Sequence, residues 1–256
     1  MPPSPRQAVE LFHLVFLRAL VARGEDKSLI ALKGGCNLRF YFGSVRYSEG
    51  LDLDVVVIAK ETLKNKVDRL LRSPAVTAPL AARGIELVEL SAPKQTDTTQ
   101  RWKAGLRVGL AAPVRTKIEL SRRRGQRTIE GAAFEAMSAE VSRPHGLSPF
   151  PATHYTAESA IRQKVHALAG RVAPQARDVF DLDLLLARPE VERLALDAEH
   201  KTFLPDALSN AMSLSFDDYA SQVVAYLDPV QAAVFEGRAA WETMQENVVS
   251  RLEALG

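Results

Sequence analysis

The segment Leu51–Ile58 (Leu-Asp-Leu-Asp-Val-Val-Val-Ile) constrains the chain more than any other. Three valines and an isoleucine in succession define a buried type of strand, yet the run opens with Asp52 and Asp54. Residues i and i+2 of a strand face the same side, so two carboxylates project together from an otherwise apolar element. Burying like charges costs solvation and adds repulsion. Two arrangements resolve the conflict: a strand end that reaches water, or a divalent cation between the carboxylates. Mg²⁺ is bound through one or two carboxylates plus substrate phosphates, and such ions clamp the attacking and leaving oxygens of phosphoryl chemistry. Ser48 and Gly50 share the parity of the aspartates and could line the same surface.

The remaining sequence supplies a core for this strand. Of 256 residues, 46% are hydrophobic and 25% charged, which excludes a disordered chain. The single cysteine, Cys36, excludes an internal disulfide and makes a Cys-based zinc site implausible. The five histidines show no metal-ligand spacing. The N-terminus lacks the layout of a signal peptide. Leu11–Ala22 is interrupted by His13 and Arg18 and is too short to span a bilayer, so a cytoplasmic protein with no membrane partner is expected.

Ser4-Pro5 with Gln7 reads as a capping box, and Val9, Phe12, Phe16 and Leu20 recur at helical spacing, with Gly24 as a stop signal. Leu29–Leu32 reads as a strand, Cys36–Phe42 as a short helix closed by Gly43, and Glu61–Arg72 as a helix. Ile85–Leu90, Trp102–Leu110 and Val114–Ser121 are strand-like. From about Thr156 the pattern turns helical, at Ala157–Ala169, Ala176–Leu186, Phe216–Leu227 and Val230–Leu255. Ser142–Thr153 holds three prolines and a glycine and marks the boundary. The expectation is an α/β (α+β) fold: a mixed sheet with flanking helices over residues 1–145, and a helical domain over 146–256.

Three further places could carry chemistry. Gly34-Gly35, between strand and helix, is either a plain tight turn or a place where backbone approaches a phosphate. Glu119 lies on the polar face of the Val114–Ser121 alternation, as a third carboxylate or as a cross-strand partner for a base. Lys164 borders the apolar stripe Ile161–Val165–Leu168, either snorkelling or serving triphosphate oxygens. Asp178 and Asp181, three apart on the next helix, share a face and could hold that lysine.

The order of these pieces resembles nucleotidyltransferases of the polymerase-β type, whose minimal domain has a Gly-Gly or Gly-Ser turn, an Asp-x-Asp strand and a third carboxylate on a neighbouring strand. More narrowly, Leu32-Lys33-Gly34-Gly35-Cys36-Asn37-Leu38-Arg39 and Arg46-Tyr47-Ser48-Glu49-Gly50-Leu51-Asp52 resemble the AbiEii/AbiGii toxin family, which includes the MenT-type toxins. The strand ending in Glu119, then Lys164 and Arg177-Asp178-Val179-Phe180-Asp181-Leu182, are similar to its later motifs. Cys36-Asn37 stands where Thr-Ala is usual, and Gly50 stands where the family has the first aspartate of its metal pair. Asp54 lies one strand repeat further, about 6.6–6.8 Å, on the same face.

The resemblance implies a minimal nucleotidyltransferase with a C-terminal helical domain. Asp52 and Asp54 are expected to hold Mg²⁺, with Glu119, Lys164 and Asp181 as further catalytic groups. Gly34, Gly35, Arg39, Ser48, Lys164 and Asp178 would bind the nucleotide. It further implies a toxin of a toxin–antitoxin system that transfers a nucleotide from an NTP to RNA, tRNA above all, under a cognate antitoxin. A protein or small-molecule acceptor, Ser48 as a modification site, and a degenerate domain that binds nucleotide or RNA without chemistry remain alternatives.

The formal charge of +2 argues against a nucleic-acid partner only when summed over the chain. Residues 101–127 hold nine bases (Arg101, Lys103, Arg107, Arg115, Lys117, Arg122, Arg123, Arg124, Arg127) against one acid, Glu119, a local balance of +8. Residues 189–256 hold twelve acids against four bases, a balance of −8. These are either two solvated surfaces or, in the first case, a patch that could hold an RNA backbone.

Overall fold

The computed structural model describes residues 3–22, 27–123 and 125–256. The Gln7 amide donates to Ser4 Oγ at 3.3 Å while the Ser4 amide donates to Gln7 Oε1 at 2.9 Å. This capping box starts α1 (Pro5–Val21) with proline at its first position, where its missing N–H costs nothing. Gly24, expected to stop this helix, lies outside the described residues.

The contacts divide the chain into two units. The first comprises residues 1–41 and 47–155, the second residues 42–46 and 156–256. In the first, β1 (Ile30–Lys33), β2 (Gly50–Val55), β3 (Ile85–Gln95), β4 (Thr99–Val108), β5 (Val114–Arg122), β6 (Ala132–Ala136) and β7 (Pro151–Tyr155) form one sheet. Its order is β3-β4-β5-β2-β1-β7-β6. The pairs β2–β5 and β1–β7 are parallel and the other neighbours antiparallel. The mixed sheet is therefore the one expected. The expected division at 145/146 falls before β7, which belongs to the sheet although its prolines suggested a linker. Pro151 is the first residue of that strand, a place where a missing donor is tolerated.

Helices α2 (Gly34–Tyr41), α3 (Lys60–Leu71), α4 (Pro74–Ala81) and the short α5 (Ala139–Ser142) complete this unit. Leu51 and Leu53 of β2 and Ile118 and Leu120 of β5 join Phe12, Phe16 and Leu20 of α1 in one core. The alternate residues of those strands, Asp52 and Glu119 among them, therefore rise on the opposite face. β2 stops at Val55 rather than continuing to Ile58. Val57 has φ 62°, a conformation rare for a β-branched residue, and its side chain is 67% exposed.

The second unit is helical: α6 (Ala157–Gly170), α7 (Ala176–Leu186), α8 (Ala198–Lys201), α9 (Leu204–Ser213), α10 (Phe216–Gln222), α11 (Pro229–Phe235) and α12 (Arg238–Ala254). The helical stretch expected near Val230–Leu255 comprises α11 and α12, separated at Gly237, which caps α12. Ile161, Val165 and Leu168 of α6 are buried with Val179, Leu182 and Leu185 of α7, and Tyr219 stacks on Trp241 at 4.8 Å.

Candidate active site

Strand register assembles the first half of the site. Lys33 pairs with Asp52, Asp52 with Glu119 and Glu119 with Arg101, so one row crosses β1, β2, β5 and β4. Adjacent strands lie about 4.8 Å apart, which sets the carboxylates of Asp52 and Glu119 side by side on the face away from α1. Arg101 Nε donates to Glu119 Oε2 at 2.5 Å. Glu119 is thus the cross-strand partner of a base, and it stands beside Asp52 in the register.

The chain turns from β1 into α2 over this row. Gly34 has φ +67°, and a Cβ on it would come within 3.2 Å of Asp52 Oδ2. Only glycine takes this backbone conformation without strain, and only glycine lets the backbone lie this close to the carboxylate. Gly35 follows in the first turn of α2, half-buried. The glycine pair is more than a tight turn: it seats the start of a helix on Asp52.

Asp54 departs from expectation. It is fully buried. Lys33 Nζ donates to its Oδ1 at 2.6 Å, and Arg123 Nε and Tyr155 Oη donate to its Oδ2 at 2.6 and 2.7 Å. Both oxygens are engaged by cations or a phenol, so in this structure Asp54 holds an ion-pair network together. The like charges on β2 are reconciled by two bases for Asp54. Burial, reinforced by the Asp54 charge, pushes the Tyr155 phenol above its ordinary value, so it stays protonated and donates.

Arg39, expected at the nucleotide, has partners in the first unit. Its Nε donates to Glu10 Oε2 at 2.6 Å and its guanidinium lies over the Tyr47 ring at 4.4 Å, so it ties α2 to α1. Ser48 is half-buried and its hydroxyl donates to the Gly50 carbonyl at 2.8 Å, holding the entry into β2.

In the second unit, the helical motifs converge as their spacing implied. Lys164 Nζ donates to Asp178 Oδ1 at 2.8 Å and to Asp181 Oδ2 at 2.5 Å. Both aspartates are fully buried. Arg46 donates to both oxygens of Asp181 at 3.2 Å, and Arg171 Nε lies 3.3 Å from Asp178 Oδ2. Lys164 is therefore not merely snorkelling. Burial works against its charge, but Asp178 and Asp181 outweigh burial and raise its pKa. Burial likewise works against an ionised Asp181, but Arg46 and Lys164 pull its pKa down. The cluster sets three basic side chains around two carboxylates.

Sequence reasoning missed Lys33, Arg46, Arg123, Tyr155 and Arg171 as partners of the motif aspartates. Arg171 lies seven residues after Lys164, as the extended residue that caps the end of α6. Arg46 and Asp181 are 135 residues apart, and no local pattern relates them.

Among the described residues, no group of three or more His, Cys, Asp or Glu side chains is arranged to hold a metal ion. The neighbouring pair Asp52 and Glu119 fits a different donor set, in which Mg²⁺ takes one or two carboxylates and completes its shell with water and substrate phosphate. It does not fit a cage made by protein alone.

A carboxylate row on a mixed sheet, met by a glycine turn that starts a helix, defines the class as a nucleotidyltransferase. The chain belongs to the AbiEii family, the nucleotidyl transferase toxins of type IV toxin–antitoxin systems, whose family model matches residues 15–254. Among solved structures it is similar to JHP933 from Helicobacter pylori, with 20% identity and a TM-score of 0.59 over 99% of this chain and 96% of that one. It is also similar to MenT4, a nucleotidyltransferase toxin of Mycobacterium tuberculosis, with 18% identity and a TM-score of 0.55 over 98% and 84%. No curated protein matches the chain by sequence. No helix among the described residues is long and apolar enough to cross a membrane.

Proposed function

We propose that the protein transfers a nucleotide from an NTP to an RNA acceptor, tRNA above all, with Mg²⁺ and under the control of a cognate antitoxin. The observation that carries this reading is Asp52 beneath Gly34 with Glu119 in register beside it. Asp52 would hold Mg²⁺, which when bound would neutralise charge on the reacting phosphates. The acceptor's hydroxyl oxygen forms a bond to the α-phosphorus, the bond to the β-phosphate oxygen breaks, and pyrophosphate leaves. Glu119 takes the hydroxyl proton on the oxygen that Arg101 does not hold. The Gly34-Gly35 backbone, at the start of α2, cradles the phosphates. Lys164, charged and held by Asp178 and Asp181, serves triphosphate oxygens. It is assigned to the same reaction on the strength of the ordered motifs. Catalysis is then mainly positioning and electrostatic stabilisation.

The test is incubation of the protein with each labelled NTP, Mg²⁺ and total RNA. Label is expected on RNA, falling about 10²–10³-fold in Asp52→Asn, the range for losing one electrostatic contact to a transition state. Label on the protein itself or on a small molecule reassigns the acceptor. Nucleotide binding without transfer to any acceptor overturns the reading in favour of a binding domain without chemistry.

A further inference from the structure

On the face that carries Asp52 and Glu119, the row one strand repeat away places two bases opposite each other. Across it Gly50 pairs with Lys117, Lys117 with Lys103, and Lys103 with Ser91. Two lysines directly opposite each other on antiparallel strands repel. One row further, Glu89 pairs with Gly105 and Gly105 with Arg115. Lys103, Arg115 and Lys117 line one cavity of about 440 Å³ with Ser91, Glu89 and Glu49, a volume within the range of small-molecule sites. None of the three basic side chains has an ion-pair partner among the described residues, in contrast to Lys33, Arg101, Arg123 and Lys164.

Two glycines shape this cavity. A Cβ on Gly50 would meet Lys117 Cγ at 2.6 Å and Cε at 2.9 Å. The lysine stem thus lies directly on the strand, where any other residue would displace it. A Cβ on Gly105 would meet Glu89 Cβ at 2.9 Å and Oε2 at 3.1 Å, so Glu89 leans across towards the Arg115 side and leaves the Lys103–Lys117 pair without an acid between them. The sheet therefore spends a glycine to seat one cation beside another, one strand repeat, about 6.6–6.8 Å, from the Asp52–Glu119 pair. Three cations against two acids in one cavity, none of the three in an ion pair among the described residues, suit a ligand carrying several oxyanions, and phosphate is the chemistry that matches a neighbouring transfer centre.

We propose that Lys117, seated on Gly50 and joined by Lys103 and Arg115, forms a phosphate-binding site that adjoins the Asp52–Glu119 pair and holds its ligand without a metal ion. The ligand's phosphates come either from an NTP or from an RNA backbone. The identity of this ligand class rests on the nucleotidyl-transfer reading above, whereas the site itself rests on Gly50, Lys103, Arg115 and Lys117.

The experiment measures binding of each NTP and of a fluorescent single-stranded RNA to the full chain, with chelator and with Mg²⁺, over a range of salt. Binding of at least one of the two probes is expected to persist in chelator. The Lys103→Met/Lys117→Met double variant should weaken it at least about tenfold, the scale of losing charge-assisted contacts. Loss confined to the NTPs assigns the site to the triphosphate. Loss confined to RNA, with a salt dependence reduced by about one for each lysine removed, assigns it to the acceptor backbone. Lys117→Arg should retain most of the affinity. Gly50→Ala keeps every charge yet displaces the Lys117 stem, so it should resemble Lys117→Met while its far-ultraviolet spectrum stays that of the parent. Unchanged affinity for both probes in the double variant, or no binding of either probe by the parent chain in chelator, overturns the inference. Asp52→Asn separates the two proposals. If it abolishes transfer while the double variant binds and transfers like the parent, only the phosphate site fails. If the parent chain never transfers but binds phosphate through these lysines, only the transfer reading fails.

Discussion

Each unit buries an ion-pair network around one of the motif residues, and these two are built in opposite senses. In the sheet a carboxylate is the hub: Asp54 is enclosed, and its two bases lie at the rim, with the Lys33 side chain 19% exposed and that of Arg123 42% exposed. In the helical unit a cation is the hub: Lys164, 12% exposed, sits between two enclosed carboxylates that are backed by Arg46 and Arg171. The difference teaches what a motif aspartate can do. The carboxylate hub has both oxygens occupied and orients the bases around it. A cation hub has its charge fixed by its carboxylates, so it can be presented to an anion without losing its proton.

The sharpest way to break this comparison is to delete one carboxylate from each network. Asp181→Ala leaves Lys164 and Arg46 nearly buried with one carboxylate between them and should cost about 3–5 kcal/mol. Asp54→Ala releases two bases that already reach solvent and should cost less, about 1–3 kcal/mol. Urea denaturation of both variants gives the ranking, and equal losses would remove the distinction between the two hubs.

Acid separates the units on a smaller scale. His13 is enclosed between Thr116, at 2.7 Å from Nε2, and Cys36, at 3.5 Å from Nδ1, and burial pushes its pKa down to about 3. A histidine whose folded pKa lies below its ordinary value contributes stability that is complete above about pH 6.5 and is lost as pH falls towards about 3. The steepest slope for one such group is about 1.4 kcal/mol per pH unit. Asp181, also depressed, adds its own loss only towards the lower end of this window, as pH falls through its ordinary carboxylate value of 3.8. The first unit should therefore weaken first on acidification. His13→Gln should flatten that part of a stability-against-pH curve, and an unchanged curve would show that His13 does not set it.

The smallest effect belongs to the exposed partner of the candidate site. Arg101→Ala removes a partly exposed pair with Glu119 and should change stability by only about 0.2–1 kcal/mol. A larger loss of nucleotide transfer than of stability would show that Arg101 positions Glu119 for chemistry.

Much of the fold was legible because local patterns and their burial agree. The capping box at Ser4 and Gln7, the period-2 alternation of β5 and the helical spacing of Ile161, Val165 and Leu168 each specify an element and its inward face. Ordinary turn grammar misled at β7, where Pro151 suggested a linker although a proline can open a strand. It also misled after Val55, where valines of high strand preference run on into a residue at φ 62°.

The candidate site divides along the same line. The sequence alone determined that Asp52 and Asp54 share a face, that Glu119 lies on a polar strand face, and that Asp178 and Asp181 lie together on one helix, because each follows from the repeat of a single element. Only the tertiary structure decided which carboxylate lies under Gly34, which is filled by Lys33 and Arg123, and which lysine lies on Gly50. Those outcomes depend on strand order and register, and register is a relation between segments as far apart as Gly50 and Lys117, on which the spacing within either strand is silent.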